Sequence, residues 1–196
     1  MPTRRMNATL KELGTTFANT AKWQISSMGI HAITGAIEGA IGYAKDLNRA
    51  LNDIRIVTGK TTEQMASFAN VAADAARRLN TTTTAYSEAA LIFFQQGLEG
   101  DAVTERADTV IKLANVTGES AQLVSDQMTA IWNNFYDGSK SLEYYADALT
   151  RLGADTAAST DEITEGMEKF AAVAKTVGLS YEYAAAATAT VVAETR

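Results

Sequence analysis

The sequence contains no cysteine, and its 196 residues include a single proline and a single histidine. Without cysteine the chain has no disulfide bonds, thiolate metal ligands or cysteine nucleophiles. His31 lies in an apolar, glycine-rich stretch, so an ordinary Ser-His-Asp triad and a histidine-based metal cluster are excluded too. The proline is Pro2, which leaves the rest of the chain free of the residue that most strongly interrupts helices.

Alternation of β-branched and polar residues, which is typical of strands, is scarce as well. Apolar residues recur at helical spacing, and the hydrophobic content of 46% is enough to bury a core. A glycine followed by polar capping residues separates the amphipathic stretches, at Gly59, Gly118, Gly153 and Gly178. The sequence therefore predicts an all-α fold, an irregular bundle of amphipathic helices separated by Gly/Ser/Thr turns, with a long apolar N-terminal helix.

Two of the predicted helix starts carry a capping box, in which a hydroxyl residue is followed three residues later by Glu or Gln. Thr61 precedes Gln64, and Ser159 precedes Glu162. The glycine breaks are unequally spaced along the chain, which favours an irregular bundle over a regular array of repeats.

Charge is divided unevenly along the chain. Residues 1–60 carry eight basic and four acidic side chains, whereas the remainder carries nine basic and nineteen acidic ones. We predict a basic and apolar N-terminal helical segment, residues 1–58, followed by an acidic helical region, residues 59–196. An acidic surface repels nucleic acid, so no specific nucleic-acid binding is expected of this region. The last predicted helix reaches Arg196 without a stop signal, and we expect the natural protein to continue.

Residues 25–44 form the most apolar window of the chain. A helix of this length spans about 30 Å, the thickness of a bilayer core, but His31 and Glu38 make a membrane span costly. The alternative is a helix packed closely on partner helices, because a GxxxG pair lets two backbones approach; self-association is the sharper form of this hypothesis. The residues predicted to make helix contacts or membrane contacts are Gly35, Gly39, Ala32, Ala36, Ile37 and Ile41.

Neighbouring carboxylates are the remaining candidates for chemistry, since a glycosidase uses a pair of them as acid and base. The candidates are Glu99 with Asp101, and Asp161 with Glu162 and Glu165. All lie at predicted helix N-termini, which favour acidic side chains through capping and the helix dipole alone. No phosphate-binding loop or EF-hand calcium loop is recognisable. We predict no catalytic, metal or cofactor-binding residue, and a protein that is not an enzyme.

Aromatic residues cluster around Gly138. They are Trp132, Phe135, Tyr136, Tyr144 and Tyr145. A binding surface is one interpretation of such a cluster. The interpretation that we favour is a core where two helices meet, since buried aromatic rings supply large apolar contact areas.

Four stretches between Ala50 and Glu194 carry helix and turn motifs in a particular order. They read ALNDIRIVTGKTTEQMASFANVAADAARRLNTTTTAYSEAA, FFQQGLEG, TVIKLANVTGESAQLVSDQMTAIWNNF and YADALTRLGADTAASTDEITEGMEKFAAVAKTVGLSYEYAAA. In this order they resemble the conserved helical region of tape measure proteins from tailed bacteriophages. The resemblance covers most of the chain and includes no catalytic residue.

The resemblance implies a structural role. Such proteins lie inside the phage tail, template the polymerisation of the tail tube to a set length, and leave ahead of the DNA. It also implies tail tube, tail tip and tail assembly chaperone proteins as partners, a homo-oligomer taken to be a trimer, and a location in the virion after assembly in the host cytoplasm. Two alternatives stay open: a membrane-active or secreted helical bacterial protein that uses residues 25–44, and, more weakly, a peptidoglycan-cleaving enzyme.

Overall fold

The computed structural model describes the backbone of residues 33–195 and the side chains of residues 42–195. Over this range the chain forms eight helices and no strand, which confirms the all-α prediction there. The helices are α1 (Ile33–Thr58), α2 (Thr62–Arg78), α3 (Thr83–Gln95), α4 (Asp101–Thr117), α5 (Ala121–Phe135), α6 (Leu142–Asp155), α7 (Thr160–Thr176) and α8 (Tyr181–Glu194).

Local side chains determine where most of these helices begin. Both predicted capping boxes are present, with Thr61 and Gln64 opening α2 and Ser159 and Glu162 opening α7. In each box two backbone N–H groups that lack a partner within the helix find one in a side chain. Three further helices begin with a single cap, in which the side chain of Ser120, Ser141 or Ser180 accepts a hydrogen bond from the backbone nitrogen three residues later.

Three of the four predicted glycine breaks are confirmed. Gly59, Gly118 and Gly178 follow α1, α4 and α7 with φ of 66°, 77° and 77°, the left-handed region that glycine adopts without steric cost. The prediction at Gly153 is wrong, because this residue lies inside α6 and the helix continues beyond it. A Cβ at Gly153 would lie 2.9 Å from the backbone nitrogen of Thr160. Glycine is needed there because α6 approaches the start of α7 closely.

The described residues up to Gln95 belong to one compact unit, and those from Gln96 belong to another. In the first unit α3 packs against both α1 and α2. The core of this unit combines aliphatic residues of α1 with small and aromatic residues of α2 and α3, namely Leu47, Leu51, Ile54, Met65, Ala72, Tyr86 and Phe93. Each helix therefore contributes one apolar stripe to a shared interior.

The expectation of a long apolar N-terminal helix holds only in part. The helix α1 is 26 residues long, but from Lys45 onward its solvent side is charged while its opposite side is buried. No helix in the described part of the chain is both long and apolar enough to cross a membrane. Residues 25–32 of the apolar window lie outside the described range. The predicted domains, 1–58 and 59–196, stay a prediction, and the line between them falls between α1 and α2.

In the second unit α7 is the central helix, and it packs against α5, α6 and α8. Its Ile163 and Met167 are fully buried, together with Ile131 of α5 and Leu149 of α6. The contact between α7 and α8 is close because its side chains are small. A Cβ at Gly166 would lie 2.6 Å from the Thr188 Cγ2 atom, and α8 buries three alanines, Ala184, Ala185 and Ala189.

Candidate functional site

The predicted helix-contact residues lie near the start of α1. Gly35, Ala36, Ile37, Gly39 and Ile41 all have helical backbone, so the two glycines of the GxxxG pair are one turn apart on one side of the helix. Ala32 lies outside the described residues, and the side-chain description begins at residue 42. Roles of this segment in helix contact or in membrane contact stay predictions.

Three of the candidate carboxylates lie where they stabilise helices. Glu162 accepts hydrogen bonds from the backbone nitrogen and hydroxyl of Ser159 at 3.1 and 2.8 Å, and Glu165 forms an ion pair with Lys169 one turn later. Asp101 lies in the first turn of α4, where the helix dipole stabilises an anion. Within the described residues, no group of three or more His, Cys, Asp or Glu side chains is placed to hold a metal ion.

The predicted aromatic cluster occupies the junction of α5, α6 and α8. It gains a ring from α8, Tyr181, whose centroid lies 4.7 Å from that of Tyr145 and 5.5 Å from that of Phe135, in edge-to-face contacts. Tyr145 and Tyr181 are 1% and 4% exposed, whereas Tyr144 is 38% exposed. We call Trp132, Phe135, Tyr136, Tyr144, Tyr145 and Tyr181 the aromatic cluster. Its centre is core, as predicted, and three helices meet there instead of two.

Buried hydroxyls connect the three helices of the aromatic cluster. The Tyr145 hydroxyl donates to the carbonyl oxygen of Phe135 at 3.1 Å, and the Tyr181 hydroxyl donates to the carbonyl oxygen of Tyr145 at 2.5 Å. The first bond joins α6 to the last turn of α5, and the second joins α8 to α6. Each tyrosine therefore adds a directional contact to the apolar area of its ring.

The rim of the aromatic cluster is ionic. Lys140, in the loop between α5 and α6, pairs with Glu182 of α8 at 2.5 Å and lies 4.1 Å from the centroid of the Tyr144 ring. The Tyr144 hydroxyl donates to the same carboxylate at 2.8 Å. These hydrogen bonds, chiefly the one from Lys140, lower the pKa of Glu182 to about 2. The carboxylate consequently stays charged at all ordinary pH values and holds the loop against α8.

A cleft of about 250 Å³ opens beside this rim, between the loop after α5 and the turn before α8. Its charged lining includes Asp137, Lys140, Lys175 and Glu182. Three of these four groups already have partners, since Lys140 pairs with Glu182 and Asp137 accepts from Ser139. The arrangement stabilises the loop, and its groups are mostly engaged with one another.

A second stack lies on the other side of the aromatic cluster. The Arg106 guanidinium of α4 lies 4.2 Å from the centroid of the Trp132 ring, and the Tyr136 ring stacks on Trp132 at 3.9 Å. A cation over an aromatic face is attracted by the ring quadrupole. This contact ties α4 to the end of α5, and it leaves Tyr136 47% exposed.

Replacing Tyr181 by phenylalanine is expected to flatten the loss of stability at high pH. Burial, reinforced by Tyr144, Tyr145 and Glu182, raises the pKa of Tyr181 above its ordinary value of 10. Above pH 10 the unfolded chain therefore releases a proton that the folded chain retains, and the free energy of unfolding falls by up to about 1.4 kcal/mol per pH unit. Below pH 10 this dependence is absent, because the tyrosine is protonated in both states.

Urea unfolding between pH 8 and pH 11 measures this effect. The variant Tyr181→Phe should lose about 1 kcal/mol at pH 8, from the missing hydrogen bond, yet show the shallower slope above pH 10. Tyr183→Phe is the control, because Tyr183 lies on the same helix and is 64% exposed; its slope should equal that of the unchanged protein. Equal slopes for both variants would contradict the prediction.

The described residues form contact surfaces and ion pairs, and the comparisons with known proteins agree with a structural role. A family model described as phage-related minor tail protein matches residues 73–196, more than half of the chain. The chain belongs to this family. The chain is also similar to the tape measure protein of Pneumococcus phage Dp-1, with 23% identity over 154 residues. No solved structure matches it.

The resemblance drawn from the sequence motifs is thereby confirmed, and the protein has a structural role in a phage tail. The match to the tape measure protein covers 79% of this chain and 13% of the relative. The family match begins within α2 and contains the whole of the second unit, including the aromatic cluster. The helix α1 precedes it.

Proposed function

We propose that this protein templates the polymerisation of the tail tube, sets its length, and later takes part in DNA ejection. The similarity to a tape measure protein together with the family match over the second unit is the observation that carries the proposal. Its partners are the tail tube, tail tip and tail assembly chaperone proteins. The protein works as a homo-oligomer, a trimer in this proposal, assembled in the host cytoplasm and then held inside the tail.

Residues 33–195 serve as a folded region of this apparatus, and the length-setting helices lie elsewhere in the full protein. The longest described helix, α1, has 26 residues and so reaches only about 39 Å. The other seven are shorter and are separated by turns. A ruler needs continuous extension, whereas these helices fold back on one another around buried cores.

Electron microscopy of phage particles tests the proposal in two steps. Disrupting the gene should abolish tails of normal length, and a copy supplied in trans should restore them. In-frame deletions of helical sequence outside residues 1–196 should then shorten the tail by about 1.5 Å per residue removed. Normal tails without the gene would refute the tail-assembly role, and unchanged length after the deletions would refute the ruler.

Residues 25–44 contact the target membrane during ejection in this proposal. The motivating observation is the apolar composition of the segment. A synthetic peptide of these residues should bind liposomes and release an enclosed dye. A peptide that neither binds nor causes leakage would remove the membrane step and leave the role in assembly intact.

A further inference from the structure

Two buried hydroxyl groups of the first unit lack a hydrogen-bond partner in the described part of the chain. They are the Tyr43 hydroxyl of α1 and the Thr84 Oγ1 atom of α3. A buried polar group without a partner loses its hydration and gains nothing in exchange, so such groups are rare in folded proteins. By contrast, the buried hydroxyls of Ser87, Ser125 and Thr188 each donate to a carbonyl oxygen one turn earlier in their own helix.

The positions of Tyr43 and Thr84 explain why their own helices do not satisfy them. Thr84 is the second residue of α3, so the residues three and four positions earlier precede the helix, and one of them, Asn80, has a φ of 54°. The carbonyl group to which a helical threonine normally donates is therefore not in its helical position. The Tyr43 hydroxyl lies at the far end of its ring and needs a partner from another element.

Two carboxylates add an unfavourable contact between the same two helices. Asp46 of α1 acts on Glu88 of α3: partial burial, together with the negative charge of Asp46, raises the pKa of Glu88 above its ordinary value. Glu88 forms no ion pair with any described residue that would offset this charge. Two like charges that face each other weaken the contact that brings them together.

The hydroxyls and the carboxylates lie toward the same end of the contact between α1 and α3. The two helices run in the same direction, since Asp46 faces Glu88 near their starts and Lys60, just after α1, lies 5.9 Å from the centroid of the Phe94 ring near the end of α3. The two unpartnered hydroxyls belong to residues three and four positions before these carboxylates, which is about one helical turn in each case. We call these four residues the polar contact.

The remainder of the contact is apolar. Leu47, Leu51 and Ile54 of α1 are buried in the first unit, as is Phe93 of α3. These residues follow the polar contact along their helices, and burial of their side chains stabilises the docked state. The attachment of α1 is therefore strong over its second half and weak near its start.

We infer that the start of α1, residues 33–46, is an arm that separates from α3 while the apolar second half of α1 stays docked. Separation returns both hydroxyls of the polar contact to water and moves its carboxylates apart. A helical stretch of this length is marginal in water without packing, so separation also opens backbone hydrogen bonds of the arm. The arm includes part of the segment proposed to contact the membrane, residues 25–44, and the inference rests on that proposed function only for the use of the freed arm.

Hydrogen exchange of the whole 196-residue chain, followed by mass spectrometry, tests the inference. Peptides from residues 33–46 should exchange about tenfold or more faster than peptides from residues 47–58 of the same helix, because exchange follows the population of the locally open state. Equal exchange along the whole of α1 would overturn the inference.

Substitutions on α3 distinguish an arm that leaves α3 from a helix end that frays by itself. Thr84→Val should slow the exchange of residues 33–46 about fivefold or more, because it removes a hydroxyl that only the open state satisfies. Glu88→Gln should slow it about twofold, because it removes a like charge. Fraying of α1 alone would not respond to changes on another helix.

Ser87→Ala is the matched control for Thr84→Val. Ser87 is buried on the same helix, but its hydroxyl donates to the carbonyl oxygen of Thr83 at 2.8 Å, so its removal should not slow the exchange of residues 33–46. Tyr43→Phe makes the corresponding change on the arm itself, keeps the ring, and should slow exchange about fivefold or more. Unchanged or faster exchange in Thr84→Val and Tyr43→Phe, or equal slowing in the control, would contradict the proposed arm.

The liposome measurement on the peptide of residues 25–44 is independent of this test, because the peptide has no α3 from which to separate. Leakage caused by the peptide, combined with equal exchange along α1, would refute the arm and leave the membrane contact. The reverse pair of results would refute the membrane contact and leave the arm.

Discussion

Replacing Gly153 by alanine is expected to lower the free energy of unfolding of the second unit by about 1–3 kcal/mol, although alanine favours helices over glycine. The new Cβ would lie 2.9 Å from the backbone nitrogen of Thr160 and even closer to its hydroxyl oxygen. The backbone there cannot retreat freely, because the adjacent Ser159 and Glu162 form the capping box that opens α7. Urea unfolding followed by circular dichroism measures the loss.

The same substitution at Gly42 provides the control. Gly42 lies inside α1, and a Cβ built there would meet no atom within 4 Å among the described residues, apart from the backbone of its own helix. Gly42→Ala should therefore stabilise the protein by about 0.5–1 kcal/mol through helix propensity. The prediction requires that the two substitutions change the free energy of unfolding in opposite directions. A Gly153→Ala variant as stable as the unchanged protein would contradict it and would show that α6 and α7 can move apart at little cost.

Replacing Tyr145 by alanine is expected to have the largest effect, about 3–5 kcal/mol, since large-to-small changes of buried aromatic residues leave a cavity. The ring of Tyr145 is 1% exposed and contacts those of Trp132, Tyr144 and Tyr181. Its hydroxyl also holds the carbonyl oxygen of Phe135. Loss of this side chain removes the centre of the aromatic cluster and the link from α6 to α5.

Tyr144→Ala is the matched control for Tyr145→Ala. The two tyrosines are adjacent in sequence and both contact Tyr181, but Tyr144 is 38% exposed. Its removal should cost about 1 kcal/mol, from one hydrogen bond to Glu182 and a cation–π contact with Lys140. Thermal melting of both variants measures their losses of stability. Comparable losses would mean that the burial of a ring does not determine how much it contributes to stability.

The parts of this fold that could be predicted are those with short-range causes. The capping boxes at Thr61 and Ser159 involve partners three residues away, and the glycines that end α1 and α4 act on their own backbone. Amphipathic spacing likewise identifies the buried stripe of each helix from the helix itself. The helical type of the elements and most of their boundaries therefore follow from neighbouring residues in the sequence.

Features that depend on distant partners do not follow in this way. The residues next to Gly153 in the sequence are typical of a turn. Only the position of Thr160 in space shows that this glycine allows α6 to approach the start of α7 closely. Tyr181 joins the aromatic cluster from 36 residues beyond Tyr145, a separation that no local pattern spans.

The small side chains between α7 and α8 have a consequence for the space that the protein fills. A helix with ordinary side chains is about 10–12 Å across, and glycine and alanine at a contact let two such helices share part of that width. Gly166 and Thr188 are close enough that a single added methyl group would collide. If the second unit travels inside the tail, as proposed, a slender helix pair occupies less of the bore and leaves more clearance along the wall of the tube.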